Sequence, residues 1–106
     1  MADHIDIPLA FKVGGKRYKV IEAESMRSPG GRSLMGQINY DKGTVTVALH
    51  NAATKRTYAK GEVANSFLHE MVHAILHDMG HKLNADEGFV TNFADRLQEA
   101  LETFKY

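Results

Sequence analysis

Apolar and polar positions alternate through the first half of the chain, then shift to a period near 3.6 in the second half. Leu9 to Val13 and Lys16 to Glu22 are short alternating runs on either side of Gly14-Gly15, a pair suited to positive φ and so to a hairpin turn. In the second run Tyr18, Val20 and Glu22 share one face, with Lys19 and Ile21 on the other. Ala23 to Arg32 holds Ser28-Pro29-Gly30-Gly31 and reads as a loop. Leu34 to Tyr40 and Thr44 to His50 make the next strand pair, turning at Asp41-Lys42-Gly43. Val45, Val47 and Leu49 give the later strand one buried face. Asn51 to Thr57 is a polar connector.

From about Ala59 to Met79 the apolar residues Val63, Phe67, Leu68, Met71, Val72, Ile75, Leu76 and Met79 fall on one broad arc of a helix, with Gly80 as its stop. A second helix opens at Asn84-Ala85-Asp86-Glu87, with Asn84 as N-cap and Glu87 at the third position. Phe89, Val90, Phe93, Ala94, Leu97, Leu101 and Phe104 form its apolar stripe. Met26, Met35, Met71 and Met79 are expected as core filler. The expected architecture is α+β: a small antiparallel or mixed sheet packed on a site-bearing helix and a second, C-terminal helix, in a single domain over 1–106.

Composition narrows what such a chain can do. Thirteen Lys+Arg balance thirteen Asp+Glu, which argues against a nucleic-acid clamp. No apolar run approaches the roughly 18 residues of a membrane span. The start Met1-Ala2-Asp3-His4-Ile5-Asp6 lacks the pattern of a secretory signal, so a cytoplasmic location is expected. There is no cysteine, so a metal would have to be held by His and carboxylate. Histidine is where the sequence is unusual: there are six, and His69, His73, His77 and His81 lie close together.

His69-Glu70-Met71-Val72-His73 is an H-E-x-x-H motif inside the expected helix. Two histidines four apart differ by about 40° around the axis and about 6 Å along it, so both imidazoles can reach one tetrahedral metal. Glu70 lies round the helix from them, close enough to address a water without being a ligand. A catalytic site needs a third protein ligand and one open position. Glu87 is the leading choice, although it could instead be the capping partner of Asn84. Asp86 is its near alternative, and His77 continues the row but lies about 80° from His69. His77 also reads as a second-layer residue, an oxyanion donor or a plain interface histidine. Tyr58, Tyr40 and His50 could each stabilise an oxyanion, or could simply pack.

Gly36-Gln37-Ile38, the following turn and Thr-Val-Thr-Val strand, and His69-Glu70-x-x-His73-x-x-x-His77 together resemble the ImmA/IrrE-type minimal gluzincin metallopeptidases. Glu87, with Phe93-Ala94 and Leu97 downstream, is similar to that family's second helix, and the likeness spans about residues 34–98. SprT-like and other short zincins share the H-E-x-x-H helix. Val72 departs from the pattern, standing where the family often has glycine. The resemblance implies zinc (Zn2+) held by His69, His73 and Glu87, with Glu70 as general base. It also implies a strand edge along which an extended protein or peptide substrate could add. The expected function is zinc-dependent peptide hydrolysis. Its rivals are a zinc-stabilised regulatory or protein-binding module and a metal-free interaction domain.

Overall fold

The computed structural model describes residues 4–106. β1 (Ala10–Val13) and β2 (Lys16–Ala23) form the expected hairpin, turning through Gly14 at φ 57° and Gly15 at φ 83°. The next strands are β3 (Met26–Arg27), β4 (Ser33–Leu34), β5 (Gly36–Asn39) and β6 (Thr44–Ala48). Two helices complete the α+β fold: α1 (Lys60–Asp78) and α2 (Glu87–Glu102), separated by a short 3-10 turn at Lys82–Ala85.

The main sheet is mixed, with strand order β1-β2-β6-β5. β6 runs parallel to β2 and antiparallel to β5, so β6 is central and β5 lies at an edge. A parallel pair cannot be closed by a tight turn, and its crossover here contains β5 and a second sheet made by β3 and β4. That small sheet lies where a plain loop was expected. The breakers are confined to its tip: Gly31 takes φ 88°, and the Ser28 N–H donates to the Arg32 carbonyl at 2.8 Å.

Register places Val20, Val45 and Ile38 side by side on the inner face. Tyr18, Val45 and Val47 are buried there, and Phe11 stacks on Tyr18 while meeting Phe67 of α1 edge-on. α1 lies against β5 and β6 and also packs on α2. Val90 and Ala94 of α2 are fully buried, and burying a valine of this kind contributes about 1.5–3 kcal/mol. A polar seam joins the helices at their other end. Asn65 donates to Asp95 and Gln98, each at 2.9 Å, and Gln98 donates to the Gly61 carbonyl at 2.9 Å.

The ends of α1 follow from local chemistry. Glu62 accepts from the Ala59 N–H at 2.9 Å and is clamped by both guanidinium nitrogens of Arg56, which hold its carboxyl at about 2. At the far end Gly80 adopts φ 62°, its N–H reaches the His77 carbonyl, and the His81 N–H reaches that of Leu76, a Schellman closure. The apolar arc is narrower than expected. Ile75, Met79, Phe93 and Phe104 are exposed, because each helix is covered on limited faces and Phe104 lies past the end of α2; Met35, between β4 and β5, is exposed as well and is not core filler.

The N-cap of α2 corrects the sequence reading. Asp86, not Asn84, caps the helix, its Oδ1 accepting from the Phe89 N–H at 2.9 Å. Two Asx residues compete for that role. The 3-10 turn, itself capped by His81 Nδ1 accepting from the Leu83 N–H, carries the chain past Asn84 before the helix begins. Glu87 therefore starts the helix and is no capping partner of Asn84. No helix among the described residues is long and apolar enough to cross a membrane.

Candidate metal centre

His69 and His73 lie one turn apart on α1, with ring centroids 5.0 Å from each other. Gly80 and the 3-10 turn bring the start of α2 back beside them, so that Glu87 faces both rings. Its Oε1 lies 2.8 Å from His73 Nε2, and its Oε2 lies 3.1 Å from His69 Nε2. Among the described residues, these three form a group whose ligand atoms all lie within 4.8 Å of one another. Asp86 is occupied as a cap and takes no part.

Glu70 is not one of this group, but it lies close enough for the charges of His73 and Glu87 to act on its carboxyl. It is only 8% exposed, and it lies against Gly36 at the start of edge strand β5. A Cβ at position 36 would come within 3.0 Å of Glu70 Oε2 and 3.3 Å of its Cγ. Glycine there is thus what makes room for the carboxyl. Burial pushes the Glu70 carboxyl up to about 7. The Glu87 charge adds to the rise, and His73 partly offsets it. His69 is held below the ordinary imidazole value, first by burial and then by His73, against the opposing pull of Glu87.

The chain matches no family model, no curated protein and no solved structure.

The donor set nevertheless fits a divalent cation. His73 Nδ1 donates to Asn84 Oδ1 at 2.7 Å, so its other nitrogen, when the ring is neutral, directs a lone pair at Glu87 Oε1. Two acceptors at 2.8 Å repel unless a cation or a shared proton lies between them. Two imidazoles and one carboxylate are the ligand types of a catalytic zinc site. Tetrahedral zinc would need ligand atoms about 3.3–3.5 Å apart, so the two His–Glu87 contacts would widen by a few tenths of an ångström within a group whose ligand atoms span up to 4.8 Å.

The remaining sequence candidates are placed elsewhere. His77 stands outside the group, its ring stacked on Tyr40 at 3.8 Å between centroids and 15° between planes. Tyr58 does not approach the site. It is a buried core residue before the start of α1, and His69 lies about 14 Å further along that helix. Tyr58 lines a concavity of about 1120 Å³, open to solvent, together with Ile5, Ile7, Leu49 and His50. None of His69, Glu70, His73 or Glu87 borders that space. Among the described residues, no group of His, Asp and Glu able to hold a metal borders it. His50 contacts Thr57 and Glu24 and takes no part in the His69, His73 and Glu87 group.

Tyr40 is brought to the site by a route that the sequence reading missed. Asn84 Nδ2 donates to the Tyr40 hydroxyl oxygen at 3.2 Å, so Tyr40 reaches His73 through Asn84. An Asn three residues before a carboxylate ligand was the available signal, but the same residue also reads as a helix cap.

Proposed function

We propose that this chain is a zinc-dependent metallopeptidase of the ImmA/IrrE-type minimal gluzincin kind, hydrolysing peptide bonds of a protein or peptide substrate. The observation that carries this reading is Glu70. A buried carboxyl that stands outside the ligand set, lodged against Gly36 at the start of edge strand β5, is of no use to a purely structural metal. It is what a general base requires. Three ligands rather than four also suit a catalytic centre, which keeps one position open.

His69, His73 and Glu87 would hold the ion. Zinc bound there supplies Lewis acidity to a scissile carbonyl and to the attacking water. Glu70 would take a proton from the attacking water and return it to the leaving amine. Gly36 keeps the carboxyl in place for both transfers. Edge strand β5 begins beside Glu70, which suits an extended substrate added along that edge. A cytoplasmic location fits a chain without cysteine.

A second reading, a zinc-stabilised binding module without turnover, draws on the origin of the ligands in two different helices. A metal there cross-links α1 to α2 and would add to their stability. One experiment separates the two. Wild type and Glu70→Gln are saturated with zinc, desalted, assayed for metal, and then tested on a fluorescence-quenched peptide library. The peptidase reading expects about one equivalent of zinc in both, with hydrolysis falling by about 10²–10⁴-fold in the variant. Zinc in both with no hydrolysis in either favours the module. Less than about a tenth of an equivalent in wild type refutes the metal site.

A further inference from the structure

Asn84 and Tyr40 have no part in the chemistry above, yet they are joined to it by a continuous chain of contacts. His73 Nδ1 lies 2.7 Å from Asn84 Oδ1, and Asn84 Nδ2 lies 3.2 Å from the Tyr40 hydroxyl. Tyr40 follows β5 directly and is half-buried, with its ring stacked on His77 of α1. Asn84 lies in the 3-10 turn, released from capping because Asp86 has taken that task. Three separate pieces of the fold thus meet on one ring nitrogen.

The geometry points to Asn84, held by Tyr40, as the positioning residue of His73: it keeps the Nδ1 proton in place and leaves Nε2 free to bind the ion. The reasoning is one of donors and acceptors. An amide whose NH2 is engaged by Tyr40 turns its carbonyl oxygen to His73, and a carbonyl oxygen can only accept. Nδ1 must therefore carry a proton, and the lone pair is left on the nitrogen that faces Glu87 and His69. An acceptor behind a ligating imidazole also makes it a stronger donor to metal, and losing such a partner typically costs 10–100-fold in affinity. Among the described residues, the hydrogen-bond partner of His69 is Glu87 itself, with no acceptor seen on its other ring nitrogen. The two histidines are thus unequal, with His73 oriented by the fold and His69 oriented chiefly by Glu87. The effect on affinity rests on the metal reading above, whereas the protonation of Nδ1 does not.

The test uses the full chain with two readouts. Zinc affinity is measured by competition with a chromophoric chelator in wild type, Asn84→Leu, Asn84→Asp and Tyr40→Phe. Asn84→Leu is expected to bind zinc 10–100-fold more weakly, while Asn84→Asp, which still offers an acceptor, binds at least as tightly as wild type. Tyr40→Phe leaves the amide in place but untethered, and gives a smaller loss of several-fold. In metal-free protein at pH 8, long-range proton–nitrogen correlation of the His73 ring should show a protonated Nδ1 whose proton exchanges slowly, and Asn84→Leu should abolish that protection. Asn84→Leu within about threefold of wild type overturns the inference, as does failure of Asn84→Asp to restore binding. If wild type binds no zinc, the metal reading falls and the ring correlation decides alone: an unprotonated Nδ1 overturns the positioning role, and a protected one upholds it.

Discussion

Metal-free protein carrying Glu70→Gln is expected to be more stable than wild type at pH 8 and nearly equal to it at pH 4.5. The cause is the buried carboxyl, raised by desolvation from an ordinary 4.5 to about 7 in the folded chain. A group whose folded pKa is raised binds more protons folded than unfolded, so stability falls as pH rises between the two values. For Glu70 that window runs from 4.5 to about 7. A rise of that size corresponds to a full cost of about 3 kcal/mol, about 2 of it reached by pH 6. Glutamine fills the same space without ionising and escapes this cost. Urea unfolding of both proteins in the presence of a chelator, at pH 4.5, 6, 7 and 8, measures the difference directly. It should grow from below about 0.5 to about 3 kcal/mol, equivalent near pH 8 to about 14 °C in Tm for a chain of this size. His69, His73 and the other titrating groups are common to both proteins, so most of their contribution cancels. A difference that stays flat across this range, or a Gln variant less stable at pH 8, would show that the carboxyl is not held in a desolvated pocket. The account of Glu70 as a base poised near neutrality would fall with it.

Three further outcomes follow from the same contacts. His69→Ala and His73→Ala should each abolish tight zinc binding, read by equilibrium dialysis, and retention of an equivalent by either would remove that residue from the ligand set. Glu87→Gln should weaken zinc markedly with little effect on metal-free stability, whereas Asp86→Ala should cost about 1 kcal/mol of stability through the lost cap while leaving zinc affinity nearly unchanged. The opposite assignment in dialysis and thermal melts would exchange the two roles. Gly36→Val should keep zinc but depress peptide hydrolysis by at least tenfold, since its Cβ alone would approach Glu70 Oε2 to 3.0 Å; unchanged kcat/KM would mean that Glu70 tolerates displacement.

Short-range physics made most of the elements readable in the sequence. Alternation exposed β1, β2 and β6, the 3.6 period exposed both helices, and Gly80 marked the end of α1 to within a residue. His69, Glu70 and His73 were readable as a set because helix geometry alone fixes their relation. Two other features depended on partners distant in sequence. Alternation says which face of β6 is buried, but not that its neighbour is β2 running parallel. Asn84 and Asp86 carry equivalent capping chemistry, and only the 3-10 turn before α2 decides between them. Tyr58 misled because its place just before α1 in sequence says nothing of the helix length that separates it from His69. Glu87 was legible as one of several candidates, and the folding back of α2 brings it, rather than Asp86 or His77, beside the two histidines.

α1 serves two neighbours, and the candidate chemistry is divided between them. The residues that could hold an ion belong to the seam with α2, whereas Glu70, the proposed base, belongs to the seam with β5. Changes at the two seams can therefore accumulate independently over evolutionary time. A descendant in which position 36 acquires a side chain would lose turnover yet retain a metal clip between its helices, and would persist as a binding protein. A descendant that loses the carboxylate of α2 would keep a buried, protonatable group with no ion to serve, and selection would be expected to replace that group with an apolar one. Across a lineage of such chains, glycine at 36 and glutamate at 70 should be gained and lost together, while glutamate at 87 follows the histidines.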